Sequence, residues 1–587
     1  MKANRPWARR ACVIAGLSAL VLLFAGWTAV TEPRVGPHSV LDLALMRDRI
    51  EGLDVVFGPY FVTAGRCAGC HGHDPQGLAM VNESGNDVNV VDDWRSTMMG
   101  NSARDPFFRA TIEHGSLGDP AHAEELQTKC LGCHAPLGMH QERMLGHAPF
   151  TLAMLDTSYF GRDGVSCLAC HMQSPAAAGH VFSGELQFDS ARVYGPYPDS
   201  TINAAIMQYF VRFTPGYGEH IQDGRVCAGC HGLVTGTHDL NGEPTGGQFF
   251  EQATWQEWKN SIYPGQENCR SCHMPRTDDP VILASEYLFL PAHSPFGTHH
   301  FAGGNTFMLR LMRDNRDELG IPATAEQFDS TIARSLRQLH KAVDLDVVLA
   351  ARSADTMAVD VHLTNRTGHK FPSGYPSRRA FLRLVVTNDA GDTLFASGLL
   401  DARNEVIGHD ADHEPHHDVI TAEDQVQIYE MVMGDVNGDV TTVLERAAAP
   451  LKDDRLPPIG FRSTHPSYDT AVVAGVDASD LDFNRDALGM EGSGSDVVHY
   501  RIPMNGSAGN VHVVASLHYQ PVPPAWNAEM FSLHSDGIDR FRAMYHAAEG
   551  QPELVAADSL SDDRTGVDMA DPGRPCACSP TRRAMAR

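Results

Sequence analysis

The sequence is poor in positive charge. It has 46 lysines and arginines against 73 aspartates and glutamates, which gives a formal net charge of −27 at pH 7. A surface of this sign repels phosphate backbones and anionic lipid headgroups. The charge therefore argues against nucleic acid and an anionic membrane surface as partners, and it indicates either a basic redox partner or simple solubility.

Long hydrophobic runs are also scarce, with one exception near the start. Residues 11–30 read ACVIAGLSALVLLFAGWTAV and follow a segment with four basic side chains. This is the pattern of an export signal, and about 20 apolar residues are enough to cross a bilayer. We expect either an uncleaved inner-membrane anchor or a cleaved signal peptide, with the rest of the chain in the periplasm.

Cysteines outside one repeated pattern are few. Ten of the 13 cysteines lie in five copies of Cys-x-x-Cys-His, at Cys67–His71, Cys130–His134, Cys167–His171, Cys227–His231 and Cys269–His273. The others, Cys12, Cys576 and Cys578, are too few for a disulfide framework. The role of cysteine in this chain is therefore to be sought in the repeated motif.

Each copy is the attachment signature of a c-type haem, in which two cysteines become thioethers and the histidine ligates the iron. Zinc binding and thiol redox chemistry also use Cys-x-x-Cys pairs, but zinc sites use them two by two. An odd set with histidine always at the same offset does not fit. The sequence predicts five c-type haems, with thioethers at Cys67, Cys70, Cys130, Cys133, Cys167, Cys170, Cys227, Cys230, Cys269 and Cys272 and proximal iron ligands at His71, His134, His171, His231 and His273.

The composition and the hydrophobic pattern of the sequence change after residue 316. Before it the chain is rich in glycine, proline, histidine and aspartate, as in a polypeptide wrapped around cofactors. Phe328, Ile332, Leu336 and Leu339 then have helical spacing within Thr324–Lys341. After this helix, short β-branched segments are separated by turn formers, which is typical of an antiparallel β-sandwich. The strands are predicted at Val343–Ala350, Met357–Arg366, Ala380–Asn388, Gln425–Val432, Val498–Pro503 and Val511–Gln520.

We therefore predict a multidomain chain, with a loop- and helix-rich multihaem cytochrome c domain followed by an antiparallel β-sandwich-like domain. A last helix is expected at Ile538–Ala548, and the polar chain from Glu549 onward is expected to be disordered. The predicted units are 1–35, signal peptide or N-terminal membrane anchor; 36–316, pentahaem cytochrome c domain; 317–345, connecting helix; 346–525, β-sandwich domain; and 526–587, helix and disordered tail.

Function depends on the second axial position of each iron, because an electron carrier commonly has two protein ligands and a substrate-binding haem leaves one position open. His300 precedes a predicted helix, Thr306–Arg313, and His369 lies in a Pro/Gly-rich loop between two predicted strands. Each of these histidines has an alternative reading as an ordinary surface or loop residue. The candidate distal ligands are His300, His369, His220 and His180, and the candidate partners of haem propionates are Arg104, Arg378 and Arg379.

Several stretches resemble bacterial multihaem cytochromes related to the cytochrome c-554 family. They are DDWRSTMMGNSARDPFFRA, DGVSCLACH, FFEQATWQEWKNS, CRSCHMP, HHFAGGN and TGHKFPSGYPSRR, with LKDDRLPPIGF and LHYQPVPPAW similar to the C-terminal β-domain of long members. The resemblance covers about Arg66 to Trp526. It implies a periplasmic or membrane-attached electron-transfer protein with closely stacked haems and with distal ligands from remote histidines, here His300 and His369. Cytochrome c-554 itself is similar only to the haem part and has four haems.

Three functions remain open at the level of sequence. The chain is an electron carrier that serves another redox protein, an oxidoreductase acting on a small nitrogen or sulfur compound at an open haem, or a binding module whose β-domain docks a partner. No Cys-x-x-Cys-Lys motif and no set of eight motifs is present. The lysine-ligated haem of pentahaem nitrite reductases and the haem set of hydroxylamine oxidoreductase-like enzymes are therefore missing. This favours the electron carrier.

Overall fold

The computed structural model describes residue 50 and residues 52–409, 413–507 and 509–562. The predicted export segment and the cysteines Cys12, Cys576 and Cys578 lie outside these residues. Among the residues that are described, no helix is both long enough and apolar enough to cross a bilayer.

Helices dominate the first part of the described chain. They are α1 Ala64–His71, α2 Val90–Arg95, α3 Pro106–Gly118, α4 Ala123–His134, α5 Pro136–Met144, α6 Leu152–Thr157, α7 Tyr159–Arg162, α8 Cys167–His171, α9 Ala204–Val211, α10 Arg225–Ala228, α11 Thr254–Lys259, α12 Cys269–His273, α13 Thr306–Asp314, α14 Arg316–Leu319, α15 Ala325–Leu339, α16 Pro524–Ser532 and α17 Asp536–Ala547. Single 3-10 turns occur at Asp199–Thr201, Glu219–Gln222, Leu444–Arg446 and Tyr468–Thr470.

Most of the long strands follow α15. The strands are β1 Arg192–Gly195, β2 Thr214–Tyr217, β3 Leu233–His238, β4 Pro244–Gln252, β5 Arg276–Thr277, β6 Phe296–Gly297, β7 Val343–Arg352, β8 Thr356–Asn365, β9 Arg379–Asn388, β10 Thr393–Ser397, β11 Val419–Ile420, β12 Ile428–Tyr429, β13 Met431–Gly434, β14 Ala449–Asp453, β15 Ser495–Pro503, β16 Val511–Gln520 and β17 Glu553–Asp562.

Two larger sheets form the β-rich part. One has the strand order β10-β9-β16-β17 with β12 also paired to β9, and the other has the order β11-β15-β8-β7. The alternation of buried and partly exposed residues along β8 and β15 shows that each strand turns one face to the interior. Side chains from both sheets, among them Val361, Leu384, Val498 and Leu517, belong to one hydrophobic cluster.

The predicted elements after residue 316 have counterparts in the structure. The helix predicted at Thr324–Lys341 is α15, which begins after a reciprocal capping pair between Thr324 and Gln327. The segment Gln425–Val432, predicted as one strand, contains β12 and continues into β13, and these two strands belong to different sheets.

The prediction of a disordered tail from Glu549 is wrong for Glu553–Asp562. This segment forms β17, which pairs antiparallel with β16 along its whole length. Only Val555 is deeply buried, because β17 is an edge strand whose other side chains are at least partly exposed to solvent. Its polar composition, which suggested disorder, is therefore compatible with a place at the edge of a sheet.

Candidate functional site

Each Cys-x-x-Cys-His motif adopts a helical turn. α1 and α4 end at the histidines of their motifs, and α8 and α12 consist of the motif itself. In the fourth motif the His231 N–H donates to the Cys227 carbonyl at 3.0 Å, which continues the helical turn past α10. Positions i, i+3 and i+4 lie on one face of a helix, so both cysteines and the histidine point the same way.

That common direction leads into one cavity. All ten motif cysteines and all five motif histidines line the same cavity, which has a volume of about 1650 Å³. Thiols of different motifs are near neighbours there, because hydrogen bonds join Cys67 to Cys167 and Cys227 to Cys269. The motifs, which are up to about 200 residues apart in sequence, are therefore gathered around a shared space.

The proximal histidines are oriented through Nδ1. In four of them this nitrogen hydrogen-bonds to a backbone carbonyl: His71 to Leu283 at 2.7 Å, His134 to Ser102 at 3.4 Å, His171 to Tyr194 at 2.6 Å and His273 to Ala302 at 2.5 Å. A carbonyl only accepts, so Nδ1 carries the proton and the lone pair of Nε2 is left for a metal. This outer hydrogen bond is the usual partner of a metal-ligating histidine.

Burial keeps four of the motif histidines neutral. It lowers the pKa of His134 and of His231 to about 4, and it lowers the pKa of His71 and His171 as well. Neutral imidazole is the form that ligates iron, so these rings need no deprotonation before they bind a metal.

Two further histidine rings lie opposite proximal histidines. The ring centroids of His171 and His299 are 6.2 Å apart with planes 15° apart, and those of His273 and His369 are 6.4 Å apart with planes 17° apart. Two metal–nitrogen bonds of about 2 Å each would place ring centroids about 6 Å apart. Both pairs therefore have the spacing of two axial ligands of one iron, and the residues present fit a haem.

His299 and His369 also share the orientation of the proximal rings. Nδ1 of His299 donates to the Gly297 carbonyl at 3.1 Å, and Nδ1 of His369 donates to the Lys370 carbonyl at 2.9 Å. Burial lowers the pKa of His299 to about 3 and that of His369 to about 4. Both are neutral rings that line the cavity, and the proton on Nδ1 leaves the lone pair of Nε2 to bind a metal.

The structure brings only some of the predicted distal histidines to this cavity. His369 and His300 line it, but the ring opposite His171 belongs to His299 and not to its neighbour. His300 instead approaches the buried carboxylate of Asp93, with Nε2 3.6 Å from Oδ2. The Asp93 carboxylate also accepts from the backbone N–H of His299 at 3.3 Å, which fixes this segment.

His180 and His220 are not among the residues that line the cavity. His180 is exposed, and Nε2 of His220 donates to the Gln173 carbonyl at 3.0 Å in a buried position. His220 nevertheless packs edge-on against Tyr194, which lines the cavity, with ring centroids 5.0 Å apart. A ligand role for His180 or His220 stays a prediction. The sequence signal for His299 was the His-His pair, within which sequence spacing does not distinguish the two rings.

The predicted propionate partners also differ from one another. Arg378 lines the cavity, and its guanidinium donates to the Ser373 carbonyl at 2.9 Å. Arg379 is buried elsewhere and is hydrogen-bonded to Gln520 and Glu405, and Arg104 is not among the lining residues. Of the three, Arg378 is placed to meet an anionic group in the cavity.

The loop that carries His369 is fastened to both parts of the chain. The buried Lys370 ammonium donates to Asp453 at 2.7 Å, and its backbone N–H donates to Glu257 of α11 at 3.0 Å. Arg455 closes the group by bonding to Asp453 at 2.7 Å and to Glu257 at 3.1 Å. This four-residue ionic cluster holds the His369 loop against the helix that follows the fourth motif.

Near Cys130 the cavity is lined by acidic and hydroxyl groups. Burial and the neighbouring Glu445 raise the pKa of Glu251 to about 8, so this buried carboxyl is protonated near neutral pH. Thr235 donates a hydrogen bond to Glu251, and Tyr375 lies close to both carboxyl groups. This side of the cavity therefore holds a carboxyl group that can donate a proton near neutral pH.

Comparison with known proteins adds little to this picture. No family model and no curated protein matches the chain. A similar solved structure is the crystal structure of a penta-heme cytochrome c552 from Thermochromatium tepidum, with 16% identity, a TM-score of 0.44 and coverage of 81% of this chain and 96% of that chain. That protein is a multihaem cytochrome c, and the similarity to it does not point to the cytochrome c-554 family in particular. A TM-score of 0.44 is too low to support a functional conclusion, and the description of the site rests on its own residues.

Proposed function

We propose that this chain is an exported multihaem c-type cytochrome, located in the periplasm, that carries electrons through five covalently bound haems to or from another redox protein. The observation that carries the proposal is the single cavity lined by all ten motif cysteines and all five motif histidines. When bound, each haem iron accepts or releases one electron. Residues of the chain would hold the haems, ligate the irons and keep water away from them.

Under this proposal the motif cysteines hold the five groups and the motif histidines ligate them from one side. His299 and His369 supply the second ligand at the third and fifth motifs. The backbone carbonyls that accept from Nδ1 hold each ring in place, and the surrounding apolar side chains keep water away from the metal.

Fold, partner and anchoring are part of the same proposal. The two larger sheets, which share one core cluster, would be the layers of the predicted β-sandwich. A net charge of −27 favours a basic redox partner. The apolar run at residues 11–30 would direct export and would either remain as an inner-membrane anchor or be removed.

The first test is the number of attached haems. We expect the exported protein to gain the mass of five haems and the Cys227→Ser variant to give a weakened or missing fourth attachment, whereas Cys576→Ser, outside the motifs, keeps all five. Intact mass and a pyridine haemochrome spectrum measure this. Fewer than five haems in the unchanged protein would contradict the proposal.

The second test is the spin state of the irons. We expect His299→Ala and His369→Ala each to convert one low-spin haem to high spin in the EPR spectrum. His300→Ala is the matched control for the first variant, because it removes the adjacent ring and leaves the pair with His171 intact. Unchanged spectra in both test variants would show that neither ring is an axial ligand.

A second function is favoured by the protonated carboxyl near Cys130. Glu251 and Tyr375 could deliver protons to a small nitrogen or sulfur compound reduced at an open haem of the second motif. This oxidoreductase reading predicts a high-spin ferric haem in the unchanged protein whose spectrum shifts on adding cyanide or nitrite. Five low-spin signals that do not shift would contradict the oxidoreductase hypothesis, and only the electron-carrier function would remain.

A further inference from the structure

A cluster in the β-rich part lies apart from the haem cavity and combines two carboxylates with one imidazole. Asp418 Oδ1, Asp482 Oδ2 and His499 Nε2 all lie within 4.8 Å of one another. Nε2 of His499 is 3.3 Å from the Asp482 oxygen and 3.9 Å from the Asp418 oxygen. None of these residues lines the cavity.

The backbone fixes the three groups relative to one another. The N–H of His499, on β15, donates to the Asp418 carbonyl at 2.8 Å, immediately before β11 pairs with the same strand. Asp482 lies in the loop before β15, and its other carboxylate oxygen accepts from the Val497 N–H at 3.3 Å. Hydrogen bonds to the backbone of β15 therefore hold Asp418 and Asp482 beside His499.

The imidazole is oriented by a further carboxylate. Nδ1 of His499 hydrogen-bonds to Asp360 Oδ1 at 2.7 Å, and Asp360 is its register partner on β8. Arg501 also donates to this oxygen at 3.3 Å. A histidine that gives Nδ1–H to a carboxylate and turns Nε2 toward other anionic groups has the arrangement of a metal ligand with its outer hydrogen-bond partner.

The two carboxylates also give the cluster negative charge that a bound cation would balance. A carboxylate oxygen of Asp418 and one of Asp482 lie within 4.8 Å of each other. The positive groups nearby are already engaged, since Arg501 lies against Asp360 and His416 bridges Asp454 and Asp480. A divalent ion between Asp418 and Asp482 would remove their mutual repulsion.

We propose that Asp418, Asp482 and His499 form a three-ligand site for a divalent transition metal, with zinc the expected ion and water completing its coordination. One nitrogen and two carboxylate oxygens suit zinc and its neighbours in the first transition row, whereas calcium prefers oxygen ligands throughout. Side-chain exposures of 25 to 35% leave the site open to solvent on one side. The ion would tie the segment before β11 and the loop before β15 to the sheet.

Isothermal titration of the chelator-treated holoprotein with zinc chloride tests the site. We expect Asp482→Asn to bind one equivalent less than the unchanged protein, or to bind it at least tenfold more weakly. Asp389→Asn is the matched control, because Asp389 pairs with His512 at 3.0 Å as a single carboxylate on the same β-rich part. Equal zinc binding by all three proteins would overturn the proposal, and calcium chloride should give no comparable binding.

A second measurement needs no variant and guards against misfolding. Diethyl pyrocarbonate labelling of the unchanged holoprotein, read by peptide mass spectrometry, should modify His499 less when zinc is present. His512 is the internal control and should be modified equally with and without zinc. Equal labelling of His499 in the two conditions would show an ordinary ion-paired histidine and would overturn the metal site.

Discussion

In the β-rich part, residues of strands from β7 to β17 join in one hydrophobic cluster. In the part that carries the haem motifs, the buried apolar residues are divided into several smaller clusters, such as those around Leu131, Leu137 and Trp94, that border the cavity. The main core of the first region is therefore made almost entirely of its own side chains. The second leaves at its centre a space that side chains do not fill, so its stability depends on what occupies that space.

The largest expected effect follows from withholding the haems. If the full chain is made in the cytoplasm, where c-type attachment does not occur, we expect the motif region to be digested by protease and the region from about residue 343 to 562 to survive. Limited proteolysis with mass spectrometry of the fragments measures this. Equal resistance of the two regions would remove the contrast between them.

The ionic cluster between the two regions should give the next largest effect. Asp453→Asn leaves the buried cations Lys370 and Arg455 without their shared carboxylate, and we expect a loss of about 3–5 kcal/mol in the free energy of unfolding. Chemical denaturation of the holoprotein measures the loss. Asp344→Asn is the control, since its ion pair with Arg366 is solvent-exposed and should be worth about 0–1 kcal/mol. Similar losses in both variants would mean that the buried cluster does not fasten the regions.

The β-rich core can be weakened alone. Leu382 is 1% exposed in the shared cluster, so Leu382→Ala should cost about 2–5 kcal/mol by leaving a cavity. We expect the haem absorption spectrum to stay unchanged in the folded variant, because the substitution lies in the core cluster and not at the haem cavity. A changed spectrum with an unchanged midpoint of denaturation would reverse the expectation.

The last expected effect concerns pH and again belongs to the β-rich part. Burial lowers the pKa of His416, but hydrogen bonds to Asp454 and Asp480 outweigh burial and raise that pKa to about 10. A folded-state pKa above the ordinary value of 6.5 means stability that is complete below pH 6.5 and is lost as the pH rises through about 10.

The free energy of unfolding of the unchanged protein should therefore fall between about pH 7 and pH 10. His416→Gln should be less stable at neutral pH and should lose part of this dependence, because Asp454, Asp480 and Asp496 then face a neutral group. Identical pH profiles for the two proteins would show that His416 does not contribute the titration.

The β-rich part was also the easier one to predict. Alternating apolar residues and clear turn formers place β8, β9, β15 and β16 close to their observed bounds, because those residues report a local period. β17 was missed because an edge strand exposes most of its side chains. In the motif region only the proximal ligands could be read directly, since they are adjacent in sequence to their cysteines.

The rest of the site depends on distant partners. Whether His299 or His300 faces His171 is decided by how Asp93 binds the segment, and that carboxylate is 206 residues away. The pairing of Lys370, Asp453 and Glu257 likewise spans 83 to 113 residues. Such contacts leave no periodic trace in the sequence, and only the folded chain reveals them.

The position of His369 opposite His273 has a consequence for the order of assembly. If the chain is exported N-terminus first, as proposed, the fifth motif would reach the haem-attachment machinery before the loop of His369 crosses the membrane. Under the proposed ligation, the newly loaded iron waits with one side uncovered until the β-rich part arrives and folds. Closure of this coordination position would then require the β-rich part to have been translocated and folded.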